Sequence, residues 1–117
     1  MIRSINAVTL GTADMARAVR FYRALGFTMA YGGEAADFTS FQIAQQHVNL
    51  TVEGAPAAGG LVRIIFYVDD VDVMHRHVLA QGLIPEGSPR DAPWGERYFH
   101  VTDPDGHSLS FARRLGA

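Results

Sequence analysis

Apolar and polar side chains alternate at the start of the chain. Over residues 5–10, Ile5, Ala7 and Thr9 fall on one side of an extended backbone and Asn6, Val8 and Leu10 on the other. A period of two marks a strand, and Gly11-Thr12-Ala13 ends it. The period then lengthens. Met15, Ala18, Val19, Tyr22 and Leu25 recur at helical spacing, while Arg17, Arg20 and Arg23 point elsewhere, which predicts an amphipathic helix over 14–25. Asp14 fits its N-cap, where a carboxylate accepts the unpaired N–H groups of the first turn. Gly26 fits the left-handed position after the last turn. Strands are predicted next at 27–31, 36–43 and 47–52, with turns at 32–34 and 44–46. Small residues from Gly54 to Gly60 then read as a linker.

The pattern restarts after the linker. A β-branched, apolar run over 61–68 predicts a strand, Asp69-Asp70 opens a second helix with Val71, Met74 and Val78 on one face, and Gly82 ends it. Strands are expected at 83–86, 96–102 and 107–112. Asp103-Pro104-Asp105-Gly106 is a tight turn before the last of them. One offset relates the halves: Asp70 follows Asp14 by 70 − 14 = 56 positions, and Val8/Ile64, Leu10/Phe66 and Gly26/Gly82 share that spacing. Each half thus reads strand, helix, strand, strand, strand. The expected fold is α+β, with two βαβββ modules (1–53 and 61–117, linker 54–60) in a single domain spanning 1–117. One module alone has too little to cover its apolar sheet face. Two together are expected to form a curved mixed sheet, helices on the convex side, with a concave cavity on the other, the kind of surface that takes small ligands.

Composition narrows the functions. With 117 residues, 48% of them apolar, the chain suits one folded domain with a real core. A net charge of −2 and the lack of any basic stripe argue against nucleic acid as a partner. Arg113-Arg114 reads as a solvated chain end. Having no cysteine excludes disulfides, thiolate nucleophiles and cysteine-based zinc sites. The first residues lack the apolar core of a signal peptide, and no run approaches the roughly 20 apolar residues of a membrane span. A soluble, cytoplasmic protein without membrane contact is expected.

Three segments resemble a known family. Val8-Thr9-Leu10-Gly11 through Phe21-Tyr22-Arg23-Ala24-Leu25-Gly26-Phe27 is similar to its opening strand and helix, Phe66-Tyr67-Val68-Asp69-Asp70-Val71 to the start of its second module, and Asp103-Pro104-Asp105-Gly106-His107 to its closing hairpin. In that order, and with the duplicated βαβββ plan, they resemble the vicinal oxygen chelate superfamily, the glyoxalase, bleomycin-resistance and extradiol-dioxygenase group. The resemblance covers nearly the whole chain.

Enzymes of that family hold a divalent metal with one His, Glu or Gln from each of four strands. The resemblance carries these positions onto Ala7, Asn49, Arg63 and Ser110. Alanine has no donor atom, and arginine is permanently cationic. Asn and Ser alone hold a transition metal poorly. A register shift of one brings in Asn6 or Val8, Val48 or Leu50, Val62 or Ile64, and Leu109 or Phe111, which is no better. The expectation is therefore no metal and no cofactor. The histidines do not supply a substitute: His75 and His77 are two apart on a helix and face different ways, and His107 is expected to be exposed after its turn.

What remains is a surface for an organic ligand. Arg63 is either an anion contact in the cavity or half of an internal ion pair with Glu96 or Asp37. Asn49 and Ser110 supply neutral hydrogen bonds, and Tyr67 shares the parity of Arg63. Trp94, the chain's one tryptophan, lies in a Pro/Gly-bracketed loop and suits either stacking on a planar ligand or anchoring the loop. His47 and His100 are candidate polar contacts or proton carriers, with either one facing the cavity. Phe38 and Phe41 have opposite parity, so one belongs to the core, and Phe41 is carried as the candidate cavity residue. The resemblance points to a bleomycin-resistance-like binder of a small aromatic or anionic molecule, working as a homodimer. The alternatives are a metal-independent isomerase or lyase and, behind it, a metal-dependent glyoxalase or dioxygenase.

Overall fold

The structure is a computed structural model that describes residues 1–53 and 62–116. The predicted linker at 54–60 lies outside the described residues, as does Leu61. The chain divides into two compact units, Met1–Ala58 and Gly59–Ala117. The expected sheet resolves into two four-stranded sheets, one per unit. Among the described residues no helix is long and apolar enough to cross a membrane.

In the first unit β1 (Ala7–Gly11), α1 (Met15–Leu25), β2 (Thr28–Tyr31), β3 (Phe38–Ile43) and β4 (Gln46–Thr51) follow one another, and the strand order is β1-β4-β3-β2. β1 and β4 are parallel, and the other pairs antiparallel. The helix starts as its sequence dictates: the Asp14 carboxylate accepts from the Arg17 N–H at 3.1 Å. It stops at Gly26, which takes φ 106°. Ala18, Val19, Tyr22 and Leu25 bury the apolar stripe of α1 against Leu10, Phe41, Val48 and Leu50. The Tyr22 ring meets those of Phe27 and Phe41 at 5.3 and 5.7 Å between centroids. The arginines of α1 stay outside, where Arg20 pairs with Glu34 at 2.7 Å. The β2–β3 turn needs glycine at position 32. Its φ is 86°, and a Cβ there would lie 2.3 Å from the Phe38 carbonyl oxygen.

The second unit repeats the plan with β5 (Arg63–Tyr67), α2 (Val71–Ala80), β6 (Arg90–Asp91), β7 (Glu96–Thr102) and β8 (Ser108–Arg114), ordered β5-β8-β7-β6 with β5 parallel to β8. Asp70 repeats the role of Asp14, accepting from the Val73 N–H at 3.0 Å. Val71 and Val78 of α2 are sealed, as are Phe99, Val101, Leu109 and Phe111 on one sheet face. Phe111 stacks on Phe66 and meets Phe99. α2 is also tied to the sheet edge by charge: Arg97 of β7 donates from Nε and Nη2 to both Asp72 oxygens at 3.1 and 2.9 Å, and from Nη1 to Asp91 at 3.0 Å.

Two expectations fail here. The predicted strand at 83–86 is irregular, and the edge strand is Arg90–Asp91 instead. Pro85 and Pro89 have no N–H to give a ladder, and Ile84 is left 87% exposed. One bond of the expected edge survives, from the Glu86 N–H to the His100 carbonyl at 2.9 Å. His107, expected to be exposed, is buried. Its N–H donates to the Asp103 carboxylate at 2.8 Å, and that carboxylate is itself buried and also takes the Asp105 N–H. The turn folds back over its own histidine.

A candidate ligand trough on the second module

Alternation puts one set of β5, β7 and β8 side chains on the sheet face away from α2. The register aligns them in rows. Arg63 lies beside Ser108 and Thr102; Ile65 beside Ser110 and His100; Tyr67 beside Ala112, Tyr98 and Arg90. The central strand β8 thus contributes only Ser108, Ser110 and Ala112 to these rows, while the strands flanking it contribute long side chains. Small residues between two walls leave a trough. Its volume is about 220 Å³, and it is lined by Arg63, Ile65, Glu96, Tyr98, His100, Ser110 and Ala112, with Trp94 from the loop before β7.

Of the residues expected to bind ligand, Arg63, Trp94, His100 and Ser110 come together here. Tyr67 is on the same face but turns to Glu96, to which its hydroxyl donates. His47 and Asn49 lie on the corresponding face of the first module, where Asn49 donates to the Thr9 hydroxyl at 3.2 Å. Phe41 is a correction. It is fully buried under α1, and Phe38, at 40% exposure, is the ring on the other face. Register explains the assignment: Phe41 pairs with Val48, whose side chain is sealed in the same core.

Tyr98 and Glu96 were not singled out by the sequence reading as ligand contacts, yet both line the trough. Their signal was parity with His100 along one strand. Tyr98 organises the aromatic wall. Trp94 stacks on it at 5.6 Å and 28°, His100 lies 5.0 Å away, and the Arg90 guanidinium sits 4.6 Å over its ring. Trp94 is still 67% exposed, so one indole face is available. Glu96 accepts from the Trp94 indole N–H at 2.9 Å and from Tyr67, so both its oxygens are engaged. Tyr67 in turn accepts from Arg114 at 3.4 Å, which holds that guanidinium above its ordinary pKa.

Arg63 is held differently. Its Nε donates to the Ser108 hydroxyl at 3.0 Å. Within the second module no carboxylate pairs with it among the described residues; of the two readings, the ion pair with Glu96 is not formed, since Glu96 is engaged by Trp94 and Tyr67. His100 is partly buried and its Nδ1 has no hydrogen-bond partner. Burial, then the charges of Arg63 and Arg90, push its pKa below the ordinary histidine value, against the opposing pull of Glu86. The neutral ring is the favoured form.

A metal of the kind the fold family uses does not suit these residues. Ala7 offers no donor, and Arg63 and Ser110 stand in the rows beside His100, whose Nδ1 makes no hydrogen bond. Among the described residues no three His, Asp or Glu side chains gather at one point. Arg63 also places a fixed positive charge where a cation would have to sit.

A family model for the Glyoxalase/Bleomycin resistance protein/Dioxygenase superfamily matches residues 4–111. A bleomycin resistance protein of Geobacillus stearothermophilus is 27% identical, the alignment covering 98% of each chain. Among solved structures, TioX from Micromonospora sp. ML1 aligns over 97% of this chain and 100% of its own with a TM-score of 0.79 and 29% identity. The bleomycin resistance determinant encoded on the transposon Tn5 aligns over 96% and 98% with a TM-score of 0.79, and at 18% identity shows the shared fold. Duplicated modules, strand order and full-length matches agree, and the chain belongs to the glyoxalase, bleomycin-resistance and dioxygenase superfamily.

Proposed function

We propose that this protein binds a small aromatic molecule in the trough of its second module, without a metal. The observation that carries this reading is the trough itself: small β8 side chains form its floor and a Trp94–Tyr98 stack forms its wall. Aromatic walls with a few aimed polar groups are the usual construction of small-molecule sites. A volume of about 220 Å³ suits one or two fused rings, or one end of a larger compound. Relatives described as bleomycin resistance proteins support a role in sequestering such a compound. Sequestration needs affinity and no catalytic group.

Trp94 is the only tryptophan, so its fluorescence reports the trough without background. Titration with a panel of one- and two-ring aromatics should give saturable quenching. The response should be the same with EDTA as without it, and chromatography should return the ligand unchanged. Loss of binding on chelation would sink the metal-free reading, and a new product would show an enzyme. We also propose that the chain acts as a homodimer, supported by the exposed Tyr31 and Phe38 of the first module, whose ring centroids lie 6.5 Å apart. Light scattering behind size exclusion at micromolar concentration should give twice the chain mass.

A further inference from the structure

The trough has a polar axis. Arg63 stands at one end, in the row of Ser108 and Thr102, and Glu96 at the other, beyond the row of Tyr98 and Ala112. The two ends differ in what they have left to offer. Both Glu96 oxygens are taken by Trp94 and Tyr67. Arg63 spends only Nε, on the Ser108 hydroxyl, which leaves the forked Nη groups of the guanidinium without an acceptor in this module among the described residues.

His100 lies one row further along, next to Ser110. Its Nδ1 is enclosed with no partner, whereas Nε2 is not enclosed in this way. Nδ1 stays without a partner whether or not it carries the proton, so the ring can engage a ligand only through Nε2. A proton on Nε2 can reach a ligand. A doubly protonated ring would carry a sealed donor and also a charge facing Arg63 of β5 and Arg90 of β6. Only Glu86, in the segment before β6, opposes them, and Ser110 of β8 does not titrate.

Resting on the trough being the ligand site, we propose that its ligand is an aromatic carboxylate. Arg63 supplies the charge, and His100 acts as a neutral imidazole donating one hydrogen bond from Nε2. The ring of the ligand lies over Ile65 and Ala112 beside the Trp94–Tyr98 stack. A planar carboxylate matches the guanidinium fork. A dianion is disfavoured by Glu96, which lines the same trough, and by the negative charge of Glu86 acting at His100.

Calorimetry with 2-naphthoate and its neutral isostere 2-naphthamide tests this, with Trp94 quenching to place both in the trough. Naphthoate should bind about ten- to a hundredfold more tightly, the range of one or two charge-assisted hydrogen bonds. Arg63→Met should erase the difference between the two probes, and Arg63→Lys should recover part of it; Arg63 is exposed, and circular dichroism checks that the fold is kept. His100→Gln keeps a neutral donor and should retain most of the affinity, while His100→Phe should lose it. Naphthoate affinity should stay flat from pH 7 to 8.5, where the carboxylate is fully ionised and the imidazole, with its pKa below the ordinary histidine value, stays neutral. Equal binding of acid and amide overturns the carboxylate assignment while leaving the trough as the site. A tightening from pH 8.5 to 7 that His100→Gln abolishes overturns the neutral-donor role. No saturable quenching by either probe overturns both this proposal and the site on which it rests.

Discussion

Phe38 and Phe41 are three positions apart on one strand and do opposite things. Parity alone says that they part company, but not which one faces the helix. The ladder decides it, since Phe41 lies opposite Val48 and inherits the sealed side of that strand. By the same rule His47 and Asn49, which alternate with the sealed Val48 and Leu50, fall on the outer face. Phe41→Ala should cost about 3–5 kcal/mol, the usual penalty for emptying a fully buried aromatic site. Phe38→Ala should cost less than about 1 kcal/mol. Urea denaturation of both variants checks the contrast, and similar losses would mean that the two rings share a face. Tyr98 was legible in the same way, being two residues from His100. The smallness of Ser108, Ser110 and Ala112 became meaningful only when β8 proved to be the central strand.

At the scale of elements, the start of each helix was readable from one residue. Asp14 and Asp70 cap α1 and α2 with the same bond to the N–H three residues on. Replacing either with alanine should cost about 1 kcal/mol, again measured by urea midpoint. The edge of the second sheet was not readable: a run such as Leu83-Ile84 looks like a strand until the prolines on its far side deny it a ladder. What anchors that edge is ionic. Asp72 of α2 accepts two bonds from Arg97, and these hold its carboxyl below the ordinary aspartate range. A lowered folded pKa means that the pair stabilises above the unfolded pKa and is lost as pH falls through the folded one. Asp72→Asn should therefore lower the urea midpoint at pH 7, and the gap from the parent should close in strongly acidic buffer. Arg97 and Asp72 are partly solvent-exposed, so added salt should narrow the gap as well. A gap that persists unchanged at acid pH would assign the loss to something other than this pair.

For the molecule as a whole, the offset of 56 residues carried most of the information. It set the number of modules, their element order and the equivalent caps before any contact was known. The two sheets repeat one strand order and one parallel pairing, β1 with β4 and β5 with β8. The candidate trough was legible in part. Arg63, Trp94, His100 and Ser110, which line it, could be named from position, but the engagement of Glu96 by Trp94 and Tyr67, which rules out its pairing with Arg63, depends on side-chain placement that a linear pattern does not encode.

In both modules the strand made last is also an inner strand. β8 separates β5 from β7, and without it β7 keeps only the two-residue β6 beside it. A ribosome must therefore deliver Ser108–Arg114 before the second module can zip into a sheet. Until then β5 waits with no ladder neighbour across the whole intervening helix and hairpin. A stop codon placed at residue 108 should leave amides of β5 and β7 open to deuterium exchange, and quality-control proteases should remove such products in the cell.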